Sequence, residues 1–288
     1  RLLQAGIEVA GYNQDAEQTR ILAAESGLQA AKSPEELVGL LEAPKTVWLM
    51  LPAGDVTETY VEDLSQGLGG GDILVDGANS YFKDSLRRSE LCAGRGIDFV
   101  DAGVSGGIWG LTEGYALMIG GPDRAITRLR PVIEALAPAR DRGWIHTGAA
   151  GSGHYVKMIH NGIEYGMMQA YAEGFALLNS REDFDLDLAG IAETWRHGSV
   201  VRSWLLDLTT KVLADDASLA DVEALVADSG EGRWTAIEGI EQGIPTPVMS
   251  TALMMRFASQ GHQDYAARLL AMMRKQFGGH AVKRRSDE

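Results

Sequence analysis

The chain has 288 residues, of which 45% are hydrophobic, and it carries a formal net charge of −14 at pH 7. This length and composition allow two ordinary domains with packed cores. The negative charge argues against a general nucleic-acid or acidic-membrane partner, because a phosphate backbone would meet a repulsive field. An anionic substrate would therefore need a local cationic pocket.

Cysteine content and apolar runs indicate the cellular compartment. Cys92 is the only cysteine of the sequence, so we expect neither an intrachain disulfide nor a thiolate metal cluster. No apolar run approaches the ~20 residues of a membrane helix, and no secretory segment is recognisable. We therefore expect a cytoplasmic protein.

The first half alternates short β-rich runs with longer helical runs, which is typical of a parallel sheet with helices on its faces. Strands are predicted at residues 7–12, 46–51, 73–76, 98–101, 115–119 and 143–146. Helices are predicted at residues 18–26, 35–41, 56–66, 84–95 and 123–136. This half is predicted to be an α/β domain.

The composition changes after residue 147, where the glycine-rich segment 148–153 leads into a helical pattern that ends near residue 178. We place the domain boundary here, with an α/β domain over residues 1–149 and a helical domain over residues 150–288. Further helices are predicted at residues 186–195, 201–213, 219–227, 247–259 and 265–277. The second half is therefore predicted to be all-α.

Polar or glycine-rich turns follow several predicted strands, where the ligands of doubly wound sheets bind. Ordinary turn chemistry explains any one of them, but together they favour a nucleotide. In a fourth turn Ser105, Gly106 and Gly107 offer a hydroxyl and bare backbone N–H groups, which suit a substrate carboxylate or hydroxyl; a mobile loop is the alternative. The first three turns hold Asn13 and Gln14, then Leu51, Pro52 and Ala53, then Asn79.

A row of polar side chains lies on the long helical pattern. Lys157, Asn161 and Glu164 are four and then three residues apart, so on a helix they share one face. An ammonium, an amide and a carboxyl placed together form an acid/base pair with a positioning group. His160 and Tyr165 flank the row. The alternative is a solvated helical ion pair, which Lys and Glu at this spacing usually form.

A glycine-rich segment at residues 228–235 contains Arg233 and Thr235, which can hold a phosphate group. Arg256, Arg274 and His280 are further cationic candidates, although each alone is typical of a protein surface. The sequence lacks the G-x-S-x-G, H-E-x-x-H and phosphate-binding-loop motifs. Hydrolase and zinc-enzyme interpretations therefore have no support, and no metal is expected.

Four segments resemble the decarboxylating 6-phosphogluconate dehydrogenases, a family within the β-hydroxyacid dehydrogenases. KMIHNGIEYGMMQ resembles their catalytic helix, DAGVSGG their substrate loop, DSGEGRWTA their D-x-x-G-T-G-K-W motif and FGGH their phosphate-side tail. Related hydroxyacid enzymes usually carry Asn-Asn after the lysine and lack this glutamate. The resemblance covers the whole chain and implies a Rossmann-like nucleotide-binding domain followed by an all-α domain for substrate binding and oligomerisation.

The resemblance implies oxidative decarboxylation of 6-phosphogluconate to ribulose 5-phosphate and CO2 with NAD or NADP, as in gluconate utilisation and the pentose phosphate pathway. It makes Lys157 the base that accepts the C3 hydroxyl proton, Asn161 the group that orients this hydroxyl, and Glu164 the acid that protonates C1 of the enediol. A lysine acts as a base only when neutral, and burial favours the neutral amine.

The resemblance also assigns substrate-binding residues. The carboxylate end is assigned to Ser105, Gly106, Gly107 and His160, and the phosphate to Tyr165, Arg233, Thr235 and Arg256. Asn79 is also assigned to the substrate. Arg274 and His280 are expected to reach in from a neighbouring subunit, which implies a homodimer or homotetramer. The turn residues Asn13, Gln14, Leu51, Pro52, Ala53 and Asn79 are assigned to the dinucleotide.

The chain departs from the family pattern in three respects. Residues 1–6 resemble the end of the first helix, and the expected first strand and G-x-G-x-x-G turn are not in the chain. A protein that begins at Arg1 would bind the dinucleotide weakly, whereas one with preceding residues would bind it normally. Arg233 stands where the family usually has lysine, and Glu231 where it has threonine. The helical half corresponds to the short form of the family.

Cofactor preference and activity leave alternatives open. Asn13 and Gln14 replace the acidic residue or arginine that usually selects NAD or NADP. The missing arginine favours NAD, with Arg20 as a candidate partner of a 2′-phosphate. Rival functions are a dehydrogenase or reductase for another small β-hydroxyacid or imine, and a non-catalytic metabolite-binding protein. A small substrate without a phosphate group would leave the predicted phosphate-binding cations without an anionic partner.

Overall fold

A computed structural model describes residues 1–278 and 281–282 of the chain. The chain divides into two compact units, of which the first is Arg1–His160 and the second begins at Asn161. This division lies inside a long helix, and the domain boundary at residues 149–150 stays a prediction. In the described part, no helix combines the length and the apolarity needed to cross a membrane.

The first unit alternates strands with helices. Its strands are β1 (Ala10–Gly11), β2 (Gln29–Ala30), β3 (Thr46–Leu49), β4 (Ile73–Asp76), β5 (Asp98–Ser105), β6 (Ala116–Gly120) and β7 (Trp144–Gly148). Its helices are α1 (Ala16–Ser26), α2 (Pro34–Leu40), α3 (Asp55–Gly67), α4 (Phe82–Ala93), α5 (Gly110–Glu113) and α6 (Asp123–Leu136). Helix α7 (Ser152–Asn179) starts in this unit.

The main sheet has the order β3-β4-β5-β6-β7 in the described residues. All neighbouring pairs are parallel except β5 and β6, which are antiparallel. The antiparallel pair β5–β6 departs from the parallel arrangement that the alternating pattern indicates. A parallel pair needs a crossover of a dozen or more residues, and the connection over residues 106–115 is too short for one. β1 and β2 form a separate parallel pair.

The hydrophobic core lies on both faces of this sheet, because successive strand residues point to opposite sides. Leu74 of β4 and Phe99 of β5 pack in one cluster with residues of α2, α3 and α4. Ile73, Val75 and Val100 pack in a second cluster with α6. Cys92 is fully buried in the first cluster, and burial raises the pKa of its thiol to about 11.

The edge of the first unit differs from the prediction. The strand predicted over residues 7–12 is reduced to β1, and β2 was not predicted. Gln29 and Ala30 are exposed, so no apolar alternation marks them in the sequence. Residues 2–6, expected to end a helix, form hydrogen-bonded turns.

The second unit is helical, and no strand occurs among its described residues. Besides the rest of α7 it contains α8 (Leu188–Arg196), α9 (Trp204–Asp215), α10 (Glu231–Gln242), α11 (Pro247–Ser259) and α12 (Asp264–Gly278). One core joins α7, α8 and α9 through Phe175, Ala192 and Leu206. Another joins α7, α10 and α11 through Tyr165 and Leu253.

The helix predicted at residues 219–227 is wrong. These residues are exposed and irregular, so their apolar side chains find no core face to stabilise a helix. The backbone N–H of Val226 donates to Ser259 Oγ at 3.0 Å, and its carbonyl accepts from Gln260 Nε2 at 2.7 Å. Helix α10 was missed, because glycines at positions 230 and 232 indicated a loop.

Candidate active site

A buried carboxylate holds the start of α7. Asp101 of β5 is fully buried, and its two oxygens accept the backbone N–H groups of Gly151 at 2.6 Å and His154 at 2.7 Å. A helix N-terminus has unpaired N–H groups and a partial positive charge, both of which a carboxylate stabilises. Asp101 therefore fixes the beginning of α7 against the middle of β5.

The next turn of α7 packs closely against the backbone of β5 at two glycines. A Cβ atom at Gly103 would lie 2.3 Å from Cβ of Lys157, and one at Gly153 would lie 2.6 Å from the carbonyl oxygen of Asp101. Larger residues at either position would push the helix away from the sheet. Lys157 thus packs directly on β5. Ser105 lies two residues beyond Gly103, ~7 Å along the strand.

The polar row predicted on α7 lies within one continuous helix. Lys157 and Asn161 are buried, and His160 and Glu164 are half-buried. Lys157 belongs to the first unit and Asn161 to the second. Helical spacing puts Lys157, Asn161 and Glu164 on one face of α7, and the burial of Lys157 distinguishes this row from a solvated ion pair.

The glycine turn after β5 has an unusual backbone. Gly106 has φ of +153° and Gly107 has φ of +52°, a range that side-chain-bearing residues rarely adopt. A Cβ at Gly106 would also lie 3.0 Å from the ring of Tyr115. Ser105 and Gly106 are half-buried, and Gly107 is exposed. The turn therefore leaves backbone accessible next to the Ser105 hydroxyl.

Two arginines and a tyrosine come together in the second unit. The buried Tyr165 donates its hydroxyl to Asp228 Oδ1 at 3.3 Å. Arg233 donates to Asp228 Oδ2 from Nε at 3.1 Å and from Nη2 at 2.9 Å. The guanidinium of Arg256 lies 3.4 Å from the centre of the Tyr165 ring, and that of Arg233 lies 4.9 Å from the ring centre of Phe257. We call Tyr165, Asp228, Arg233 and Arg256 the arginine cluster.

The other predicted phosphate residues lie differently. Thr235 is buried on α10, where its hydroxyl donates to the carbonyl of Glu231 at 2.8 Å. A Cβ at Gly162 would lie 2.6 Å from the Thr235 methyl group, so α10 packs closely on α7. Arg274 is exposed on α12. His280 lies outside the described residues. The roles of all these residues stay predictions.

The predicted dinucleotide residues lie in the turns after β1, β3 and β4. Pro52, Ala53 and Asn79 are exposed, and a Cβ at Gly54, where φ is +91°, would meet no atom within 4 Å. Open backbone and an exposed amide can hydrogen-bond the polar groups of a ligand, and the assignment of these residues to the dinucleotide stays a prediction. Leu51 is half-buried, and Asn13 and Gln14 are exposed.

The turn after β1 carries negative charge. Asp15 caps α1 by accepting the backbone N–H of Glu17 at 3.0 Å, and Asn13 Oδ1 accepts that of Asp15 at 2.8 Å. Arg20 is held by both carboxylate oxygens of Glu17. This arginine is therefore already paired, and a 2′-phosphate would have to compete with Glu17 for it.

Sequence reasoning did not select Asp101, Asp228 or Arg88 as site residues. The pairing of Asp101 with residues 151 and 154 spans some fifty positions, which no local pattern reveals. Asp228 belongs to the glycine-rich motif, so its spacing to Arg233 was a usable signal. Among the described residues, no cluster of three or more His, Cys, Asp or Glu side chains has the geometry of a metal site.

Family comparisons cover both units. The family model described as the NAD binding domain of 6-phosphogluconate dehydrogenase matches residues 1–148, and that of the C-terminal domain of 6-phosphogluconate dehydrogenase matches residues 153–288. The chain belongs to the 6-phosphogluconate dehydrogenase family. This confirms the resemblance and the predicted fold class, a Rossmann-like domain followed by a helical domain.

Several members of this family and its wider group are similar to the chain. A protein of Haloferax volcanii named as a NAD(+)-dependent, decarboxylating 6-phosphogluconate dehydrogenase is 44% identical over 288 residues, which is 100% of this chain and 94% of that protein. A decarboxylating 6-phosphogluconate dehydrogenase of Staphylococcus aureus is 35% identical, over 88% of this chain and 57% of that enzyme.

Solved structures show the same fold. The Plasmodium falciparum 6-phosphogluconate dehydrogenase, described with its cofactor NADP+ and its substrate 6-phosphogluconate, has a TM-score of 0.82 at 28% identity. The match covers 99% of this chain and 63% of that one. A 3-hydroxyisobutyrate dehydrogenase of Salmonella typhimurium has a TM-score of 0.75 at 21% identity, over 90% of this chain and 88% of that one, and shares the fold.

Proposed function

We propose that the protein oxidises and decarboxylates 6-phosphogluconate to ribulose 5-phosphate and CO2, with NAD as the electron acceptor. Family membership and the 44% identity to the Haloferax enzyme support this proposal. The observation that carries it is the burial of Lys157 on β5, on the helix face that also holds Asn161 and Glu164. Such a row provides a base, a positioning amide and an acid.

The chemistry divides among these three side chains. The neutral amine of Lys157 accepts the proton of the C3 hydroxyl, which the amide of Asn161 orients. When bound, the dinucleotide supplies the hydride acceptor. With a ketone at C3, the C1 carboxylate leaves as CO2 because the ketone accepts the electron pair left at C2. Glu164 then protonates the carbon of the enediol that becomes C1 of ribulose 5-phosphate.

The two charged ends of the substrate bind to different groups in this proposal. The arginine cluster supplies guanidinium groups and a tyrosine hydroxyl for the phosphate, which arginine binds with two parallel hydrogen bonds. Thr235 is assigned to the same end. His160 and the turn of Ser105, Gly106 and Gly107 are assigned to the carboxylate end, and Asn79 is assigned to both the substrate and the dinucleotide.

A neighbouring subunit is proposed to complete the phosphate end through Arg274 and His280. Exposed apolar side chains on α12 support an oligomer, because a stable helix of this kind normally buries an apolar face. They include Leu269, Leu270, Met272 and Met273. Light scattering of the purified protein tests for a dimer or tetramer, and a monomer at assay concentration would contradict this part.

The cofactor preference is proposed to be NAD. Asp15 and Glu17 place carboxylates beside the turn after β1, and Arg20 is paired with Glu17, so a 2′-phosphate would be repelled. The nucleotide-binding domain is proposed to span residues 1–149, and the helical domain residues 150–288. Comparing kcat/KM with NAD and with NADP tests the preference, and a value that is higher with NADP would overturn it.

The decisive experiment measures CO2 release and dinucleotide reduction with 6-phosphogluconate, using 3-hydroxyisobutyrate as the competing substrate. We expect equal amounts of both products from 6-phosphogluconate and no comparable rate with the smaller acid. Lys157→Met should lower kcat by about 10²- to 10⁴-fold, the usual contribution of a general base, while substrate binding persists. Dinucleotide reduction without CO2, or normal turnover of Lys157→Met, would contradict the proposal.

A further inference from the structure

The most enclosed arginine of the first unit links two of the predicted dinucleotide loops. Arg88 of α4 is 1% exposed. Its Nη1 donates to Asp76 Oδ2 at 2.7 Å and to Ser80 Oγ at 3.0 Å. Its Nε donates to Glu58 Oε2 at 2.8 Å, and its Nη2 to the carbonyl of Gly54 at 3.3 Å. Burying a guanidinium is costly unless its donors are satisfied in this way.

One side of the guanidinium holds the loop after β4. Asp76 is the last residue of β4, and it accepts the backbone N–H of Ala78 at 3.0 Å and the hydroxyl of Ser80 at 3.0 Å. Ser80 in turn accepts from Arg88. The residue between them, Asn79, is exposed. The loop is thus folded around a carboxylate that Arg88 neutralises, with Asn79 directed outward at its tip.

The other side holds the loop after β3. Gly54 precedes the first residue of α3 and has a φ of +91°, and its carbonyl accepts from Arg88. Glu58 lies one turn further along α3 and accepts from both Arg87 and Arg88. Because β3 and β4 are neighbouring parallel strands, the two loops lie side by side at one edge of the sheet.

We propose that Arg88 is a positioning residue that sets the separation of these two loops and thereby the affinity for the dinucleotide. This inference rests on the proposed function, which assigns Ala53 and Asn79 to the cofactor. A planar, forked guanidinium holds acceptors on two sides at fixed angles, whereas an ammonium group cannot. The conformational entropy of the two loops is then lost when the protein folds, so ordering them does not weaken dinucleotide binding.

The alternative is that Arg88 contributes only to stability. The two roles differ in one measurable respect. A positioning role predicts weaker dinucleotide binding by protein that is still folded. A purely structural role predicts a lower melting temperature with an unchanged dissociation constant, because the folded fraction would bind normally.

The experiment compares full-length wild-type protein with Arg88→Lys and with the matched control Arg87→Lys. Arg87 is the adjacent residue and shares Glu58, but its side chain is 56% exposed. The dissociation constants of NAD and NADP are measured by titration calorimetry at a temperature where circular dichroism shows every variant folded. We expect Arg88→Lys to weaken dinucleotide binding about tenfold or more, corresponding to ~1.4 kcal/mol, and Arg87→Lys to leave it within about twofold.

A second variant keeps the test decisive if Arg88→Lys does not fold. Ser80→Ala removes one link between Arg88 and the loop without leaving a buried charge unpaired, and we expect dinucleotide binding to weaken about threefold. Unchanged dissociation constants in the folded variants, or equal changes in Arg87→Lys, would overturn the inference. If wild type binds NAD without decarboxylating 6-phosphogluconate, the substrate proposal fails, while a selective effect of Arg88→Lys still supports the inference.

Discussion

Arg88 in the first unit and Arg233 in the second each pair with a buried aspartate, at 2.7 Å and 2.9 Å, but only Arg88 is itself buried. Arg88 and its partner Asp76 are both buried, and the Nε, Nη1 and Nη2 atoms of Arg88 all donate hydrogen bonds within the protein. Arg233 is 56% exposed and lies over the ring of Phe257. The buried guanidinium of Arg88 can only hold the loops around it. The exposed guanidinium of Arg233 can bind an incoming anion, either together with Asp228 or in its place.

Asp76→Ala should have the largest effect on stability. It would leave the Arg88 guanidinium buried without its carboxylate, and breaking a buried pair in this way costs ~3–5 kcal/mol. The free energy of unfolding from urea titration measures this loss. We also expect poorer ordering of the loop at Asn79, because Asp76 holds the backbone of Ala78 and the hydroxyl of Ser80.

Glu17→Ala is the control for that comparison. Glu17 pairs with Arg20 at 2.5 Å, but both side chains are more than half exposed. Exposed pairs of this kind contribute little to stability, because solvent screens them, so we expect a much smaller loss than in Asp76→Ala. Equal losses of stability in Asp76→Ala and Glu17→Ala would show that burial does not distinguish the two kinds of arginine.

Arg233→Met should affect ligand binding more than stability. A hydrogen bond to a charged group is worth ~1.5–3 kcal/mol, so we expect KM for 6-phosphogluconate to rise about 10- to 100-fold. The free energy of unfolding should fall by less than in Asp76→Ala, because Arg233 is 56% exposed and the buried Asp228 keeps the hydrogen bonds from the Tyr165 hydroxyl and the backbone N–H of Gly230. Steady-state kinetics and urea titration together separate the two quantities.

Arg181→Met is the matched control within the same unit. Arg181 also pairs with an aspartate, Asp183 at 2.8 Å, and its guanidinium also lies over a phenylalanine ring, 4.5 Å from the centre of Phe184. It is not among the proposed substrate residues. An equal rise of KM in Arg181→Met and Arg233→Met would indicate a nonspecific effect of charge and not a phosphate site.

Local patterns predicted part of this molecule well. The bounds of β4, α6 and α11 coincide with the predictions. A short apolar run marks β4, apolar periodicity marks α6, and a proline at its first turn marks the start of α11. The polar row on α7 was also visible, since helical spacing alone aligns its members. The helix prediction for residues 219–227 was wrong, because apolar periodicity does not reveal whether the folded protein offers a core against which the apolar face can pack.

The supporting residues could not be predicted in the same way. Arg88 and Asp101 are ordinary members of a helix and a strand in the sequence, and their importance comes from partners far along the chain. Arg88 bonds to Gly54 and Glu58, about thirty positions away. Only the tertiary structure shows that these charges are buried and fully hydrogen-bonded, because a single sequence carries no information on such pairs.

Arg256→Lys should have a smaller effect than Arg233→Met. Lysine keeps the positive charge but loses the planar stacking on Tyr165, where the guanidinium lies 3.4 Å from the ring centre. A cation–π contact at a partly exposed site is worth ~0.5–1 kcal/mol, so we expect KM for 6-phosphogluconate to rise about two- to fivefold. A rise of KM as large as that in Arg233→Met would instead assign the main phosphate contact to Arg256.

The smallest predicted effect is a pH dependence of stability at Glu58. Burial tends to raise the pKa of this carboxyl, but hydrogen bonds from Arg87 and Arg88 outweigh it and lower the pKa below its ordinary value of 4.5. A carboxyl whose pKa is lower in the folded state stabilises the protein above its unfolded pKa. That stabilisation is lost as the pH falls through the folded pKa.

Melting temperatures of wild type and Glu58→Gln between about pH 7 and about pH 3 test this dependence. We expect the gap between them to be widest near neutrality and to close in acid. Glu17 is a useful contrast, because Arg20 lowers its pKa too, yet it is exposed and solvent screens the pair. Glu17→Gln should therefore show a smaller gap that salt removes. A gap for Glu58→Gln that is the same at every pH would mean that the ionisation of Glu58 is not linked to folding.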